Sequence, residues 1–378
     1  MASVPVFAPS STFRDELRRR GGETALRCYQ CATCSSVCEL APAEAPFPRR
    51  QMLWAQWGLA DRIAADPSVW LCHQCNDCTQ RCPRDAKPGD VLSVVRALTI
   101  EKLAFPRFVG SLVGKVRVTW PLVLGIPILF WVLLLMAVNG LQVPQDFRAY
   151  EQFVPHWLLY AVYFPVVGWV VLASWVSGRR FWSLLGLGAS RNGSFLGHLW
   201  PALMEVGTHK RFGNCTAARP RKIAHLALLW GFVGAAVTSG LLIMAIYVQG
   251  MTLDNGQMPL SLWHPYKILG NISAVLLVVG GVLLVANRLQ DGVRSGASTA
   301  FDSFFLTVVG LVIVTGVLTE AGRFGFTPEL ACALYVVHLG VVLCLFVTFP
   351  YSKFAHMLYR TLAMVHARMA GIVSPRAK

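Results

Sequence analysis

The stretch CYQCATCSSVC at residues 28–38 has four cysteines separated by two, two and three residues. The stretch CHQCNDCTQRCP at 72–83 repeats this spacing and adds a proline. Cysteines in such a pattern can form disulfides, bind zinc or hold an iron–sulfur cluster. The chain opens without the continuous apolar run of a cleavable signal peptide, so we expect the thiols to stay in the cytoplasm, where they are normally reduced. Disulfides are therefore disfavoured.

Zinc fits the two runs poorly, because structural zinc usually takes two cysteine pairs separated by a longer insert. A [4Fe–4S] cluster takes three thiolates from one tight loop, and in two-cluster ferredoxins the fourth comes from the other run. We therefore predict two clusters. The predicted cluster-one cysteines are Cys28, Cys31, Cys34 and Cys82. The predicted cluster-two cysteines are Cys72, Cys75, Cys78 and Cys38.

The sequence around the two runs predicts an α-helical ferredoxin domain. About 33 residues separate the runs, which is more than in the smallest ferredoxins. The stretch PRRQMLWAQWGLADRI at 48–63 has the spacing of apolar residues that is typical of a helix. A second helix is predicted at 91–103 and leads out of the domain. We expect this domain to cover residues 1–118.

The rest of the chain is a series of apolar stretches with short connections. They lie at about 119–139, 157–177, 224–249, 263–287, 302–319 and 330–350. Each is long enough, at about 1.5 Å per residue, to cross roughly 30 Å of hydrocarbon. The whole chain is 55% hydrophobic and 14% charged, as expected for a membrane protein with a soluble head. We predict an all-α protein in which residues 119–378 form a six-helix transmembrane domain.

Basic residues concentrate on one side of the predicted membrane. The segment 178–222 has eight Lys or Arg residues and one acid, and the tail after Pro350 has five and no acid. The loops 140–156, 250–262 and 320–329 have only Arg148 and Arg323 between them. The positive-inside rule therefore places both termini and the ferredoxin domain on the cytoplasmic side of the cell inner membrane. The net charge of +15 thus reflects topology and not binding to nucleic acid. The segment 178–222 is too polar to span and is expected to form short helices in the membrane interface.

Histidines in or beside the apolar stretches are candidate haem ligands, because a polar side chain in hydrocarbon is costly without a partner. His338 and His356 are eighteen residues apart, which is five helical turns. We therefore expect both on one face of the last helix, about 27 Å apart. This distance excludes a shared iron and favours two haems stacked across the membrane.

Each of these histidines needs a partner at matching depth. His225 opens the third apolar stretch on the cytoplasmic side, and His264 opens the fourth on the outer side. We predict that His225 and His356 bind an inner haem b. We predict that His264 and His338 bind an outer haem b.

The remaining histidines and isolated cysteines have less specific patterns. His156 and His209 are reserve haem ligands, and His73 is expected to pack against a cluster. Residues expected at interfaces are His198 and His366, and those expected to be buried as small apolar residues are Cys332 and Cys344. The role of Cys215 stays open.

The combination of CYQCATCSSVC and WLCHQCNDCTQRCP with a six-span cytochrome b resembles the membrane subunit (the C subunit) of the quinone-interacting membrane-bound oxidoreductase (Qmo) complex. That family resembles a fusion of the small iron–sulfur subunit of heterodisulfide reductase with its membrane cytochrome. The resemblance implies electron exchange between a menaquinone-type quinone and cytoplasmic flavin and iron–sulfur subunits that resemble heterodisulfide reductase A (Qmo A and B). It also implies a link to adenylylsulfate reductase in dissimilatory sulfur metabolism.

The bundle is also similar to the cytochrome b subunit of respiratory nitrate reductase. That family has two histidines ten residues apart on one helix and two histidines eighteen residues apart on another. His338 and His356 match the spacing of eighteen, whereas Ala235 stands ten residues after His225. His264 is our substitute on the basis of depth, and whether the chain binds one or two haems stays open.

These observations predict a quinone-linked oxidoreductase subunit that works within a larger complex. No catalytic residue is identified, and the chain has no G-x-G-x-x-G fingerprint, so flavin or nicotinamide is expected on partner subunits. One alternative is the membrane arm of a heterodisulfide-reductase-like complex that uses methanophenazine or another quinone. Another alternative is a haem-free membrane sensor or transporter with a ferredoxin head. The direction of electron flow, the quinone and its pocket stay open.

Overall fold

The computed structural model describes residues 7–41, 46–186, 191–210, 219–290, 296 and 299–372. Within these ranges the regular secondary structure is helical, and no strand is present. The predicted all-α fold class is therefore confirmed. Cys215, whose role was left open, lies outside the described residues.

The N-terminal head consists of short helices connected by tight turns. They are α1 (Ser11–Leu17), α2 (Thr33–Ser36), α3 (Arg49–Trp57), α4 (Ala60–Ala64), α5 (Ser68–Leu71), α6 (Asp77–Gln80), α7 (Pro88–Leu103) and α8 (Arg107–Gly114). The helix predicted at 48–63 is two helices, because Gly58 adopts a left-handed conformation (φ 71°) that ends α3. The helix predicted at 91–103 is confirmed as α7. Pro88 occupies its first turn. Proline is tolerated there because backbone N–H groups of the first turn have no acceptor within the helix.

Six helices of the described chain are long and apolar enough to cross a membrane. They are α9 (Val116–Asn139), α10 (His156–Leu185), α12 (Arg219–Tyr247), α13 (Pro265–Gln290), α14 (Ala300–Gly325) and α15 (Pro328–Thr348), with α11 (Phe195–Thr208) between α10 and α12. Each overlaps one of the six predicted apolar stretches. The side chains of Thr299 and Thr327 cap the first turns of α14 and α15 by accepting backbone N–H groups. The six predicted membrane helices are confirmed.

The chain after α15 differs from the prediction. α15 ends at Thr348, a 3-10 turn follows at Lys353–Ala355, and α16 (His356–Met369) begins as a separate helix. Pro350 lies in this break. A proline interrupts a helix because it has no N–H to donate and its ring clashes with the carbonyl four residues before it. The expectation that His338 and His356 share one face of one helix is therefore wrong.

The head and the membrane helices share an apolar core that crosses residue 118. Trp70 of α5 stacks on Tyr359 of α16, with ring centroids 4.8 Å apart. Phe181, near the end of α10, packs edge-on against both rings. Each of the three side chains is at most 2% exposed. Arg180 adds a polar contact, because its guanidinium donates to two carbonyl oxygens, of Leu103 (3.1 Å) and Ala104 (2.7 Å).

Within the bundle, α12 packs along α13, and α15 packs against both α9 and α14. The α9–α15 contact depends on a glycine: a β carbon on Gly340 would come within 2.6 Å of the Ile128 Cα. Elsewhere the helices expose large apolar side chains, such as Val171 and Val282. Such a surface suits contact with lipid.

The predicted short helix within 178–222 is confirmed as α11. The Ser194 hydroxyl accepts the Gly197 N–H (3.1 Å) and so caps the first turn. Glu205 forms a 2.7 Å ion pair with Arg368 of α16. Trp200 is 67% exposed, as suits a helix at a membrane surface.

Candidate metal centres

The two cysteine runs fold into the same type of loop. In the first run Gln30 (φ 61°) and Ala32 (φ 69°) are left-handed, and in the second run Gln74 (φ 53°) and Asn76 (φ 64°) stand at the equivalent positions. Residues other than glycine rarely adopt this conformation. Alternation of left- and right-handed residues curls a backbone so that its N–H groups point to one centre. One of them, the Gln74 N–H, donates to Cys72 Sγ at 3.3 Å.

The cluster-one cysteines line a single pocket. The lining includes Cys28, Cys31, Cys34 and Cys82, together with Arg49 and Arg84. Burial raises the pKa of Cys34 to about 11, and the neighbouring thiols of Cys28, Cys31 and Cys82 act in the same direction. The structure therefore groups the four cysteines that were predicted to bind cluster one.

The cluster-two cysteines form a second group. Burial, with a smaller contribution from Cys72 and Cys75, raises the pKa of Cys38 to about 12. Burial also raises the pKa of Cys78 well above its ordinary value, and Cys72, Cys75, Cys38 and, least of these, Cys34 of the neighbouring group add to the effect. Four close and poorly solvated thiols are unfavourable as thiolates unless a metal supplies positive charge. This grouping fits a cluster, and ligation by these eight cysteines stays a prediction.

The ten described cysteines are not bridged by disulfides. A cubane takes three thiolates from one tight loop and a fourth from elsewhere. The pocket lined by three cysteines of the first run and one of the second has this arrangement.

The structure brings His225 of α12 and His356 of α16 together at the end of the bundle next to the head. Their ring centroids are 6.1 Å apart, and the ring planes meet at 82°. Two imidazoles that bind one iron from opposite sides, with bonds of about 2 Å, have ring centres roughly 6 Å apart. The His356 Nδ1 contacts the Lys353 carbonyl oxygen, so Nε2 is the nitrogen that can bind a metal. The pair therefore fits a six-coordinate haem iron.

The charges around this pair also suit a haem, which carries two carboxylates. Lys353 and Arg221 act electrostatically on His225, and Lys353 and Arg360 act on His356. The pKa of His356 is lowered to about 4, mainly by burial; Lys353 and Arg360 act in the same direction, and the bond to the Lys353 carbonyl opposes them. The imidazole is therefore neutral at pH 7, which is the form that binds a metal.

The structure does not bring His264 and His338 together. His264 precedes α13, and its Nδ1 accepts the Tyr266 backbone N–H at 3.3 Å. His338 lies ten residues inside α15, with Nδ1 2.9 Å from the Thr315 hydroxyl of α14. Because this hydroxyl donates to the Leu311 carbonyl (2.6 Å), it accepts from the His338 N–H and leaves His338 Nε2 as the metal-binding nitrogen.

A difference in depth explains the separation of these two histidines. Lys267 of α13 forms a 2.5 Å ion pair with Glu320 of α14, which aligns the start of α13 with that level of α14. Thr315, which contacts His338, lies five residues before Glu320 in α14. His264 lies three residues before Lys267, in the opposite direction across the membrane. At about 1.5 Å per residue, His264 and His338 differ in depth by about 12 Å. The outer haem on this pair stays a prediction that no contact among the described residues supports.

The reserve residues have varied surroundings. The His156 Nδ1 lies 3.3 Å from a Glu151 carboxylate oxygen. The His209 ring centroid lies 5.5 Å from that of His225, so His209 remains a reserve ligand for the inner site. His366 is 1% exposed and packs edge-on against Trp182. It is therefore buried, whereas an interfacial position was expected. The two cysteines of α15 are buried among apolar side chains, as predicted: Cys332 and Cys344.

Sequence reasoning missed two arginines that hold the second cysteine loop. The Arg221 guanidinium donates to the carbonyl oxygens of His73 and Gln74. The Arg96 guanidinium donates to the carbonyl oxygen of Cys72 at 3.3 Å. Arg221 lies four residues before His225, a spacing that places two side chains on one helix face. The spacing could have indicated that Arg221 lies on the same helix face as His225. It could not indicate the contact with the second cysteine loop, which is distant in sequence.

Comparisons with known proteins agree with the two cysteine groups. The 4Fe–4S dicluster domain family matches residues 24–86, which contain all eight cysteines. The chain is 36% identical over 85 residues to the C subunit of H(2):CoB-CoM heterodisulfide,ferredoxin reductase from Methanothermobacter thermautotrophicus, covering 22% of this chain and 45% of that protein. It is 35% identical over 97 residues to an Archaeoglobus profundus protein that is named as like the C subunit of heterodisulfide reductase, covering 25% and 50%. The match thus spans about half the length of these relatives.

The chain therefore has an iron–sulfur electron-transfer head like that of the C subunit of heterodisulfide reductase. No solved structure matches the chain.

A different relative matches over nearly the whole length. Citrate utilization protein B of Escherichia coli is 26% identical over 358 residues, which cover 89% of this chain and 88% of that protein. The citrate utilization protein B family matches residues 115–377, well over half of the chain. The family match covers the membrane helices, and the match to the Escherichia coli protein extends over most of the chain. The chain belongs to the citrate utilization protein B family.

Proposed function

We propose that this chain is the membrane electron-transfer subunit of a quinone-linked oxidoreductase complex. It passes electrons between soluble redox partner subunits and a menaquinone-type quinone by way of two [4Fe–4S] clusters and haem b. The observation that carries the proposal is the His225–His356 pair, whose ring centroids are 6.1 Å apart, next to a head with two groups of four cysteines. A haem-free sensor or transporter does not account for a buried histidine pair next to the iron–sulfur head.

The cofactors would supply one-electron chemistry, and this chain supplies their ligands and surroundings. The cluster-one and cluster-two cysteines would hold the clusters, and His225 and His356 would hold the inner haem. The Lys353 carbonyl keeps the His356 Nε2 available, and the nearby cation Arg360 would favour the haem carboxylates. The Lys353 ammonium is paired with Asp302 at 2.6 Å. Reduction of a quinone to a quinol takes two electrons and two protons. A reduced flavin on a partner subunit would supply the electrons, and water would supply the protons.

Two classes of partner are proposed. The relatives named after the C subunit of heterodisulfide reductase support partners of the heterodisulfide reductase type, and a Qmo-like complex linked to adenylylsulfate reductase is one member of that class. The name of the Escherichia coli relative supports instead an oxidoreductase that serves citrate utilization. The second partner class has the better support, because that relative matches the head and the membrane helices together.

Haem content per chain tests the proposal. We expect the purified protein to show b-type haem bands that sharpen when a quinol is added. We expect His225→Ala and His356→Ala each to lose one haem per chain, whereas His198→Ala, remote from the pair, keeps it. Retention of all haem in both variants would overturn the inner site. The haem-free sensor or transporter would replace our proposal if the unsubstituted protein contained clusters and no haem.

A separate variant tests the outer haem. If His264 binds a second haem with His338, His264→Ala loses one haem of two. If the unsubstituted chain binds a single haem and His264→Ala keeps it, the outer site is removed and the inner site stands.

Isolation of the intact complex tests the partners. Detergent extraction of tagged chain from its own membranes, followed by mass spectrometry and flavin analysis, is expected to yield a flavin-containing subunit. Adenylylsulfate reductase or heterodisulfide-reductase-type subunits in that complex would support the first partner class. A flavoprotein that oxidises a citrate-like carboxylate would support the second.

A further inference from the structure

The second cysteine loop is attached to the membrane domain, whereas the described residues that line the pocket of the first all belong to the head. Arg221, in the first turns of α12, donates from one guanidinium nitrogen to the carbonyl oxygens of His73 (3.0 Å) and Gln74 (2.7 Å). These two residues lie between Cys72 and Cys75. Arg221 also lies one helical turn before His225. One short segment of α12 thus contacts the cluster-two loop and supplies half of the histidine pair.

Three further contacts connect the same loop to the membrane domain. Gly296, between α13 and α14, lies against Asn76, since a β carbon on this glycine would come within 2.5 Å of the Asn76 amide nitrogen. Trp70, two residues before Cys72, stacks on Tyr359, three residues after His356. Arg96 donates to the Cys72 carbonyl and acts electrostatically on His356.

The first cysteine loop has different surroundings. The pocket that the cluster-one cysteines line is formed by residues between 28 and 88, all of the head. Cys31 is exposed, and Tyr29 beside it is 69% exposed. The Arg84 guanidinium lies over the Tyr29 ring, 4.1 Å from its centroid, and donates to its hydroxyl (2.9 Å). This side of the head is therefore accessible at Tyr29 and Cys31.

From this asymmetry we propose an order for the two centres, which rests on the proposed function. The cluster-two cysteines hold the membrane-side centre, which exchanges electrons with the iron on His225 and His356. The cluster-one cysteines hold the partner-side centre, where the soluble redox subunit docks. Each transfer moves one electron and no proton: the donor centre is oxidised by one electron, and the acceptor is reduced by one. Arg221 is a positioning residue, because it fixes the cluster-two loop relative to His225.

Arg221 also places a positive charge beside the cluster-two loop, as Arg84 does beside the cluster-one pocket. A nearby positive charge stabilises the reduced, more negative form of a cluster and so raises its reduction potential. Removing either charge therefore lowers the potential of the neighbouring cluster only. This makes the order measurable without turnover, because each arginine identifies one cluster signal.

The test is a redox titration, followed by electron paramagnetic resonance, of the full-length protein purified without oxygen. Arg221→Gln is expected to move one cluster signal to lower potential, and Arg84→Gln is expected to move the other. Lys222→Gln, which removes a charge from the adjacent residue of α12, is the matched control and leaves both signals in place. Arg221→Lys keeps the positive charge but loses the planar guanidinium. We expect its cluster potential to lie close to that of the unsubstituted protein.

The spin-relaxation rate of each cluster signal, compared between the unsubstituted protein and His356→Ala, identifies which cluster lies near the haem. A paramagnetic iron speeds the spin relaxation of a cluster close to it. The clusters are reduced by irradiation of the frozen sample, so that part of the haem stays ferric and paramagnetic. We expect the signal that Arg221→Gln moves to relax more slowly in His356→Ala than in the unsubstituted protein, and the other signal to change little. This comparison does not require the Arg221 variant to fold, because either cluster signal can be followed, and Arg84→Gln identifies the cluster-one signal.

The order is overturned if the haem accelerates relaxation of the signal that Arg84→Gln moves, or if Arg221→Gln moves that same signal. Failure of the proposed function gives a different result. In that case the unsubstituted protein lacks haem, or contains fewer than about eight non-haem irons per chain, before any arginine is changed.

Discussion

His356 owes its suitability as a metal ligand to the turn before it. The Lys353 carbonyl engages Nδ1, and the surrounding core keeps the imidazole neutral at pH 7. His338 is held in the same tautomer by Thr315, but no second histidine among the described residues lies at its level. His356 and His338 therefore have similar hydrogen bonds, but only His356 has a second histidine ring close to it, that of His225 at 6.1 Å. The partner, and not the tautomer, distinguishes the inner site from the outer one.

The cysteine groups make a prediction about iron content. Cys34→Ala removes one of the four thiols that line the cluster-one pocket, and we expect the purified protein to lose about half of its non-haem iron and acid-labile sulfide. Cys344→Ala is the control, because Cys344 is also buried but lies among apolar side chains of α15. Iron and sulfide analysis of anaerobically purified protein measures the effect. Equal iron content in the two variants would contradict the grouping.

Among the elements, α5 and α16 are the two short helices that join the head to the bundle. α16 exists as a separate helix because Pro350 interrupts the chain after α15. This break lets α16 pack against α5 and α11, and it brings Tyr359 onto Trp70. A continuous helix after α15 would carry these side chains away from the head.

The stacked contact predicts a large loss of stability in one variant. Trp70→Ala removes a side chain that is 2% exposed, and replacement of a buried tryptophan by alanine typically costs about 3–5 kcal/mol. Trp57→Ala is the matched control, because Trp57 also lies in the head but is 56% exposed. Thermal unfolding in detergent, followed by loss of cluster absorbance, compares the two. Similar midpoints would show that the α5–α16 contact contributes little.

For the whole molecule, predictability depends on how local each signal is. The cysteine spacing predicted the two groups of four, because most ligands of a cluster come from one short loop. Hydropathy predicted the membrane helices, because each helix satisfies its own backbone hydrogen bonds in lipid. The separation of His264 from His338 was not predictable, since it depends on the relative heights of two helices. The contact of Arg221 with His73 joins residues 148 positions apart, and no local pattern marks it.

The distribution of charge predicts the topology of the whole chain. We expect reporter fusions near Gly256, between α12 and α13, to lie outside the cytoplasm, and fusions after Gly371 to lie inside. The reason is that basic residues concentrate in 178–222 and in the tail after Pro350, and such residues favour the cytoplasmic side. Alkaline phosphatase activity and fluorescent-protein emission in a bacterial host distinguish the two locations. The reverse pattern would put the head on the outer side and contradict the proposed partners.

The exchange of cysteines between the two runs has a consequence for biogenesis. The pocket of Cys28, Cys31 and Cys34 is closed by Cys82, and the group of Cys72, Cys75 and Cys78 includes Cys38. Neither group is complete until the ribosome has passed residue 78, and the cluster-one group also waits for Cys82, although the first three cysteines emerge much earlier. Metal insertion by the maturation machinery therefore belongs to a nascent chain in which both cysteine runs have been synthesised. A chain that is truncated before residue 78 can complete neither centre.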